Sequence, residues 1–304
     1  MTIALRIDVD TFRGTRDGVP RLLQLLEKRG IRGTWYMTLG PDNMGRHAWR
    51  LLKPAFALKM LRSGAPSLYG WDIVLRGTVW PGPKIGRRLA DTLRLPAKAD
   101  HEVGVHAWDH HRWQMGAERL PDAVMNAELE RAVQAFEQVY RREPMTAAAP
   151  GWRFDERLLA LPASRRFRYR SDARGEAVPF MPLLEGTPLR QPQVPVDLPT
   201  YDEGVGRGAD ADERWNASLL ARIADGKPHV LTIHAESEGG AKAALFERFL
   251  DAALAAGHTF EPLGSWLARF PTLQAARVQR GTIAGREGWL CVRGEADAAT
   301  TRTI

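Results

Sequence analysis

The sequence predicts an α/β protein, an irregular (β/α) barrel of seven or eight units. Apolar runs rich in β-branched and aromatic residues alternate with longer segments of helical period, which indicates parallel strands joined by crossover helices. The chain has 304 residues, 44% of them hydrophobic, which is enough for one large core. Several apolar runs also end in aspartate or histidine, and the strands of an α/β barrel carry active-site residues at that end.

The predicted strands are short apolar runs, and the predicted helices place apolar residues three and four apart, which is typical of core-facing helices. The strands are expected at residues 3–9, 32–39, 102–108, 145–150, 167–171, 193–198, 230–234 and 259–262. The helices are expected at residues 19–29, 85–93, 122–141, 214–224 and 242–256. We therefore expect one catalytic domain over residues 1–270.

Two regions interrupt this alternation. Residues 40–83 are too long for an ordinary connection, and such insertions often line the active site of a barrel. Residues 271–304 contain only short apolar pieces. They are expected to form a C-terminal extension whose last residues, from about Glu295, are loose.

The charge balance favours an anionic partner. The chain carries 43 Lys and Arg against 36 Asp and Glu, a net charge of +7, which attracts phosphate groups. No recognisable nucleic-acid module accompanies this charge, so we predict no nucleic-acid partner. The sequence lacks a basic start followed by a long apolar stretch, and no run of about 18 apolar residues occurs, so neither a signal peptide nor a transmembrane helix is expected.

The first candidate site residues are Asp8 and Asp10, at the end of an apolar strand. Residues two apart point to the same face of a strand, so both carboxylates are expected to project together. Burying two acids is costly unless a cation or a catalytic role compensates. The alternative is a pair of solvated loop acids.

The second candidate pair is His106 and His110, directly after another predicted strand. Their spacing of four lets two imidazoles meet one ion if the segment turns into a helix. Together with a carboxylate from another strand they form a set that suits Zn²⁺, Co²⁺, Mn²⁺ or Fe²⁺. The alternative is that they are ordinary core or surface histidines.

A third candidate is His234, at the end of a late predicted strand. A single histidine there is commonly structural, but a barrel would bring this strand end to the face that carries Asp8 and His106. His111 is not expected to be a ligand, because its side chain would point away from that of His110. The other four histidines are expected at the surface: His47, His101, His229 and His258.

Taken in this order, the strand-end acids, the histidine pair and the late histidine resemble the polysaccharide deacetylase family, whose fold is an irregular (β/α) barrel. The resemblance implies that Asp8 is the general base and His234 the general acid. It also implies one divalent ion on Asp10, His106 and His110. In the family the two acids are usually adjacent, whereas Val9 separates them here, so the roles of Asp8 and Asp10 can be exchanged.

A further family motif, typically Arg-Ala-Pro-Gly-Trp, resembles residues 148–152, with Ala148 in place of the arginine that normally pairs with the base. Arg153 is close enough in sequence to substitute for that arginine. The resemblance implies that the backbone N–H of Gly151 donates to the oxyanion. It also implies that Asp172 supports the catalytic acid or base. An ordinary cap after a strand is an equally good interpretation of Asp172.

Longer similar segments at residues 5–16, 40–54, 67–73, 106–111 and 284–289, several of them outside these motifs, narrow the resemblance. They are similar to family members that remove the formyl group from undecaprenyl-phosphate-linked 4-deoxy-4-formamido-L-arabinose. The implied activity is a deformylase, a hydrolase of a linear amide, in lipid A modification and polymyxin resistance. The alternatives are a deacetylase of another N-acylated sugar and a non-catalytic barrel that binds a sugar lipid.

Residues 43–71 contain five basic residues and no acidic one, mixed with apolar and aromatic side chains. That composition is typical of a segment that lies in a membrane interface. We expect it to dock on the cytoplasmic face of the bacterial inner membrane and to contact the lipid-linked substrate through Arg46, Trp49, Arg50, Phe56, Lys59 and Arg62. The alternative is a core-packed helix with a solvated basic face.

Overall fold

The computed structural model describes residues 1–46, 81–204, 210–284, 286 and 288–303. Its strands are β1 (Thr2–Val9), β2 (Thr34–Thr38), β3 (Glu102–Ala107), β4 (Thr146–Ala147), β5 (Tyr169–Arg170), β6 (Met181–Leu184), β7 (Thr187–Pro188), β8 (His229–His234), β9 (Thr259–Glu261), β10 (Thr272–Gly281) and β11 (Leu290–Thr303). Its α-helices are α1 (Val19–Glu27), α2 (Ile85–Arg88), α3 (Ala90–Lys98), α4 (His110–Gly116), α5 (Asp122–Tyr140), α6 (Glu156–Leu159), α7 (Tyr201–Gly204), α8 (Ala211–Ile223), α9 (Ala243–Ala255) and α10 (Leu263–Leu267).

The main sheet is parallel and forms a half-barrel. Its strand order is β5-β4-β3-β2-β1-β8, and β9 pairs with the first residues of β1. The connections between neighbouring strands carry helices, as the alternation in the sequence predicts. Because the strands are parallel, their carboxyl ends lie along one edge, where Asp8 and His234 face each other in register.

One predicted strand is wrong. Residues 193–198 form only isolated bridges, in which Gln193 lies beside Arg170 and Phe180, and Val196 lies beside Arg174. The physical reason is Pro195, which has no N–H to donate and therefore interrupts the ladder that this segment would otherwise extend beyond β5.

The two faces of β1 differ in polarity. Ile3, Leu5, Ile7 and Val9 belong to the large apolar core under the helices. The alternation of a strand therefore directs Arg6 and the two acids to the opposite face, inside the half-barrel. The sequence thus builds the site and the core from the same eight-residue strand.

The C-terminal residues form a second sheet, with strand order β11-β10-β6-β7. The sequence led us to expect only short apolar pieces in this region. Instead β10 and β11 form an antiparallel pair, in which Thr272 lies opposite Thr303 at one end. The cause is a weak period-two pattern, in which Leu273 and Ala275 are buried while Thr272 and Gln274 are exposed. The domain boundary after residue 270 remains a prediction.

The long insertion leaves and rejoins the barrel at one place. The Gly40 carbonyl accepts a hydrogen bond from Ile85 N–H at 2.9 Å, and Asp42 N–H donates to the Pro83 carbonyl at 3.1 Å. Arg46 N–H donates to the Asn43 carbonyl at 3.0 Å. The other residues expected to contact the membrane lie outside the described residues: Trp49, Arg50, Phe56, Lys59 and Arg62. No helix of the described part is both long and apolar enough to cross a bilayer.

Candidate metal centre and active site

The carboxylate of Asp8 is held by an arginine of its own strand. Arg6 Nε donates to Asp8 Oδ1 at 2.8 Å, and Arg6 Nη2 donates to Asp8 Oδ2 at 2.7 Å. Both residues are buried, with 0% and 2% of their surfaces exposed. Two parallel N–H···O bonds between a guanidinium and a carboxylate fix the orientation of both groups.

The rest of the Arg6 guanidinium is also satisfied, as burial of a charge requires. Its Nη1 donates to the Ser171 carbonyl at 2.5 Å, and its carbon lies 5.2 Å and 5.0 Å from the ring centroids of Tyr36 and Trp152. Burial is the largest single influence and would raise the pKa of Asp8, but Arg6, His106 and His234 together outweigh burial and lower that pKa. Asp8 is therefore an ionised, oriented carboxylate.

Arg6 takes the place that the sequence analysis gave to Arg153. The guanidinium of Arg153 lies elsewhere, with its carbon 5.1 Å from the ring centroid of Trp289. Sequence reasoning missed Arg6, although a signal existed: Arg6, Asp8 and Asp10 follow a period of two along β1 and the residue directly after it.

Asp10, His106 and His110 come together as predicted. Asp10 Oδ1 lies 3.2 Å from His106 Nε2, and Asp10 Oδ2 lies 3.3 Å from His110 Nε2. One ligand atom from each of the three lies within 4.8 Å of the others, an arrangement that can hold a metal ion. Asp8 lies farther than Asp10 from His106, with 3.9 Å between Asp8 Oδ2 and His106 Nε2.

The prediction placed the two histidines on one helix, but the structure does not. His106 belongs to β3, and His110 is the first residue of α4. Asp109 caps this helix by accepting from Arg112 N–H at 2.9 Å. A strand-to-helix turn therefore brings the imidazoles together, with ring centroids 5.2 Å apart.

The donor atoms fit a divalent cation. His106 Nδ1 lies 2.8 Å from the Ala148 carbonyl; because a carbonyl only accepts, Nδ1 carries a hydrogen, and Nε2 is left facing Asp10. Asp10 Oδ1 is buried without a hydrogen-bond partner among the described residues, so an orphaned carboxylate oxygen lies beside a ring nitrogen, and this pair of donor atoms suits a shared cation. Burial lowers the pKa of His110 to about 4, which keeps that imidazole neutral, as a ligand must be.

Glu236 fixes the backbone that carries Asp10. Its Oε1 accepts from Asp10 N–H at 3.0 Å, from Thr11 N–H at 2.8 Å and from the Thr11 hydroxyl at 2.8 Å. A Cβ on Gly14 would lie 1.9 Å from the same oxygen, so this turn requires a glycine. Burial, together with the charge of Asp10, raises the pKa of Glu236 to about 7.

His234 ends β8 beside Asp8, and its backbone N–H donates to Glu238 Oε2 at 2.9 Å. Burial on its own would lower the pKa of His234. Nearby carboxylates outweigh burial and raise that pKa to about 9: those of Asp10, Asp8, Asp202 and Glu238. The arrangement therefore keeps this imidazole protonated near neutral pH, as a general acid requires.

The loop after β4 presents Gly151 in a left-handed conformation, with φ 59°. No residue of the described chain accepts a hydrogen bond from its N–H. Asp172 supports this loop, because its Oδ1 accepts from Ala149 N–H at 2.8 Å. Asp172 is itself held by Arg170 at 2.6 Å and by Gln193 at 2.9 Å, and thus contacts the loop rather than His234.

Two histidines expected at the surface are buried. His101 Nδ1 accepts from Trp35 Nε1 at 3.0 Å, and burial lowers its pKa to about 4. His229 lies between the carboxylates of Asp197 and Asp225, at 2.5 Å and 2.9 Å. Both are satisfied structural histidines, which composition alone does not distinguish from surface ones.

A model of the polysaccharide deacetylase family matches residues 2–169. This stretch carries both acids and both histidines of the candidate metal centre. The chain belongs to the polysaccharide deacetylase family, which confirms the resemblance noted in the sequence.

Two curated proteins match nearly the whole chain. A probable 4-deoxy-4-formamido-L-arabinose-phosphoundecaprenol deformylase of Shewanella sediminis (strain HAW-EB3) is 44% identical over 292 residues, which cover 95% of this chain and 93% of that protein. A protein of the same name from Wigglesworthia glossinidia brevipalpis is 35% identical over 280 residues, which cover 91% of this chain and 97% of that protein.

Among solved structures, a candidate polysaccharide deacetylase of Mycobacterium smegmatis superimposes with a TM-score of 0.62 at 18% identity. The match covers 93% of this chain and 94% of that one. At this identity the likeness concerns the fold alone, and it confirms the predicted fold class.

Proposed function

We propose that the protein hydrolyses the formamide of undecaprenyl-phosphate-linked 4-deoxy-4-formamido-L-arabinose, giving the 4-amino sugar and formate. The observation that carries this proposal is the 44% identity, over 93% of its length, to a relative named for that reaction. The activity predicted from the sequence agrees with that name. The amino sugar would serve lipid A modification and polymyxin resistance.

Asp10, His106 and His110 would hold the divalent ion, with Zn²⁺, Co²⁺, Mn²⁺ and Fe²⁺ all suited to this donor set. When bound, such an ion polarises the amide carbonyl and acidifies a water molecule. Asp8 is placed to accept the proton of the attacking water, since Arg6 keeps its carboxylate ionised and oriented. The distances favour Asp10 as the ligand and Asp8 as the base, the first of the two assignments that the sequence left open.

His234 and Gly151 complete the proposed chemistry. The protonated imidazole of His234 would give its proton to the departing sugar amine, so that the amine leaves as a neutral group. The N–H of Gly151 would donate to the oxyanion of the tetrahedral intermediate. These two groups and Asp8 come from three different segments that the half-barrel brings to one edge.

The alternative of a non-catalytic barrel depended on Ala148, which leaves the base without its usual arginine. Arg6 meets that requirement from within β1, which favours catalysis over binding alone. Whether formyl is preferred over acetyl follows from the relatives' names and belongs to the same proposal.

Formate release tests the function directly. Purified protein is incubated with the formamido-sugar lipid and each candidate metal, and formate is measured for the wild type, Asp8→Ala, His106→Ala and His234→Ala. We expect each substitution to lower the rate by at least about 100-fold, and a chelator to abolish it until metal is restored. Release that survives both the chelator and His106→Ala would refute the metal-dependent mechanism.

We also propose that the protein acts as a peripheral protein on the cytoplasmic face of the inner membrane. The lipid carrier in the relatives' names and the acid-free basic and aromatic segment 43–71 support this. The test is flotation with anionic vesicles of wild type and of a variant in which Trp49, Phe56 and Leu61 are serine. Unchanged binding of the variant would contradict the proposal.

A further inference from the structure

A basic recess lies next to the turn that follows Asp10 of the candidate metal centre. It has a volume of about 930 Å³, and its described lining combines apolar and cationic side chains: Phe12, Pro81, Pro83, Lys84, Arg87 and Arg88, with Gly82. This volume is in the range of sites that hold small ligands. The recess was not anticipated from the sequence, because its basic residues follow the segment singled out there.

The three cations of this recess have no acidic partner in the part of the chain that the structure describes. Lys84, Arg87 and Arg88 are exposed, and within the described ranges none of them makes a salt bridge or a side-chain hydrogen bond. Other exposed arginines of the chain do pair, as Arg269 does with Glu261 at 2.5 Å. Three unneutralised cations around one recess attract an anion, and arginine in particular matches the geometry of phosphate oxygens.

The recess is connected by hydrogen bonds to the turn that follows the metal ligand Asp10. Phe12 N–H donates to Asp42 Oδ2 at 3.0 Å, and Asp42 N–H donates to the Pro83 carbonyl at 3.1 Å. Phe12, which lines the recess, is two residues beyond Asp10 in the chain. One wall of the recess is thus continuous with the turn that carries a metal ligand.

A second connection leads to the other ligand segment. Gly82 N–H donates to Asn43 Oδ1 at 3.1 Å, and Asn43 Nδ2 donates to Asp109 Oδ2 at 2.6 Å. Asp109 caps the helix whose first residue is His110. The position of the recess is therefore fixed relative to the centre from two sides.

From this geometry we infer that Lys84, Arg87 and Arg88 bind the phosphate of the lipid-linked substrate. The inference rests on the proposed function, in which the phosphodiester is separated from the formamide by one sugar ring. Phe12, Pro81 and Pro83 present apolar surface suited to the first prenyl unit beyond the phosphate. Recognition of the phosphate would select the lipid-linked sugar over free N-acylated sugars.

Binding measurements test the inference without relying on catalysis. Geranyl phosphate, geraniol and inorganic phosphate are titrated calorimetrically into the metal-loaded wild type and the triple variant Lys84→Gln, Arg87→Gln, Arg88→Gln. We expect the wild type to bind geranyl phosphate in preference to geraniol, and the triple variant to lose about tenfold or more of that affinity. Arg190→Gln, an exposed arginine beyond β7 without a partner among the described residues, is the matched control and should bind as the wild type does.

Two binding results would overturn the inference: no preference of the wild type for the phosphate ester, or equal affinity of the triple variant and the wild type for geranyl phosphate. Flotation with phosphatidylglycerol vesicles separates the substrate phosphate from a lipid headgroup. A triple variant that loses vesicle binding but keeps its affinity for geranyl phosphate would make these residues a membrane contact and also refute the inference.

A kinetic experiment distinguishes failure of the phosphate site from failure of the proposed function. Formate release is compared for a geranyl-phosphoryl formamido sugar and for its neutral methyl glycoside. In the triple variant we expect the ratio of the two kcat/KM values to fall about tenfold. No formate from either substrate with the wild type would refute the proposed function, whereas an unchanged ratio in the triple variant would refute the phosphate site alone.

Discussion

Arg6 and Asp8 are two residues apart on β1, and the pleat of the strand makes them neighbours on one face. The pair is buried, so removal of either member would leave an unpaired charge in the interior, which costs about 3–5 kcal/mol. The guanidinium also lowers the pKa of Asp8. Stability and base strength thus depend on the same contact.

We predict that Arg6→Gln raises the pKa of Asp8 and moves the acidic limb of the kcat/KM profile to higher pH. The sign follows because the positive charge that favours the carboxylate is lost. We also expect kcat to fall by about 100-fold, since the carboxylate loses its orientation, with a smaller loss for Arg6→Lys. Formate release measured as a function of pH provides the test.

The matched control for this prediction is Arg29→Gln, since the Arg29 side chain is 8% exposed and pairs with Asp251 and Glu247. It should affect the free energy of unfolding and leave both limbs of the pH profile in place. If Arg6→Gln also leaves the acidic limb unmoved, Arg6 does not tune Asp8.

The alkaline limb is predicted to depend on His234. Its raised pKa means that the imidazolium is present below a pH of about 9 and is lost as the pH rises through that value. Asp202→Asn removes one of the raising charges, so the pKa of His234 and the alkaline limb should both move to lower pH. Titration of the imidazole followed by NMR, together with the kcat/KM profile, measures the shift.

Asp210→Asn provides the comparison for Asp202→Asn, because Asp210 is exposed and its carboxylate pairs with Arg214. We expect it to leave the NMR titration of His234 unchanged. Equal shifts for the two variants would mean that Asp202 has no specific influence on the acid.

Much of the candidate site was visible in the sequence, because acids and histidines at the ends of apolar runs are rare unless a site requires them. Asp10, His106 and His110 meet as predicted. Arg6 was missed although its partner Asp8 is only two residues away and a period of two was visible, whereas Glu236 was missed because its role depends on a distant partner in space. Glu236 lies more than 220 residues from the turn it holds, and no local pattern encodes that contact.

At the scale of elements, the metal centre depends on a turn and a helix start, each held by a buried acid. Glu236 accepts three hydrogen bonds from the turn after β1. Asp109 accepts from the first turn of α4 and from Asn43. Short polar contacts thus fix the two segments that converge on the candidate metal centre.

We predict that Glu236→Ala weakens metal binding by about 10- to 100-fold, as loss of a group that orients a ligand does. The physical reason is that the Asp10 backbone loses the acceptor that sets its direction. Calorimetric titration of metal-free protein with Zn²⁺ or Co²⁺ measures the affinity. Glu236→Gln retains Oε1 and should bind metal almost as the wild type does, so equal affinities of all three proteins would contradict the role of Glu236.

Element boundaries were predictable where the apolar pattern was strong, as in β1 and α5. They failed where a backbone property overrode composition. Pro195 lacks the N–H that a strand at residues 193–198 needs. The hairpin of β10 and β11 was not predicted, because its small apolar side chains give only a weak alternating pattern in the sequence.

At the scale of the whole molecule, the second sheet shares a core with the half-barrel. Leu290 of β11 is fully buried in a cluster that also contains Trp152, Tyr36 and Ala148. The hairpin therefore packs against the residues that surround Arg6. This continuity predicts that the described parts of the chain unfold together.

We predict that Leu290→Ala lowers the free energy of unfolding by about 2–5 kcal/mol, the usual effect of a cavity in a core. Denaturant unfolding should show one transition by near-UV and far-UV circular dichroism alike. Gln274→Ala, at an exposed position of the same sheet, should change the stability by less than about 0.5 kcal/mol. Two separate transitions, with only one affected by Leu290→Ala, would instead indicate an independent C-terminal unit.

The Arg6–Asp8 pair has a consequence for how this enzyme can diverge. Because Arg6 and Asp8 belong to the same strand, changes in a distant loop cannot remove the counter-ion from the carboxylate. Position 148 therefore does not need a charged side chain, and Ala148 packs in the core instead. The five-residue stretch from Arg6 to Asp10 thus carries the proposed base, its partner and one proposed metal ligand as a single unit, whatever side chain stands at position 148.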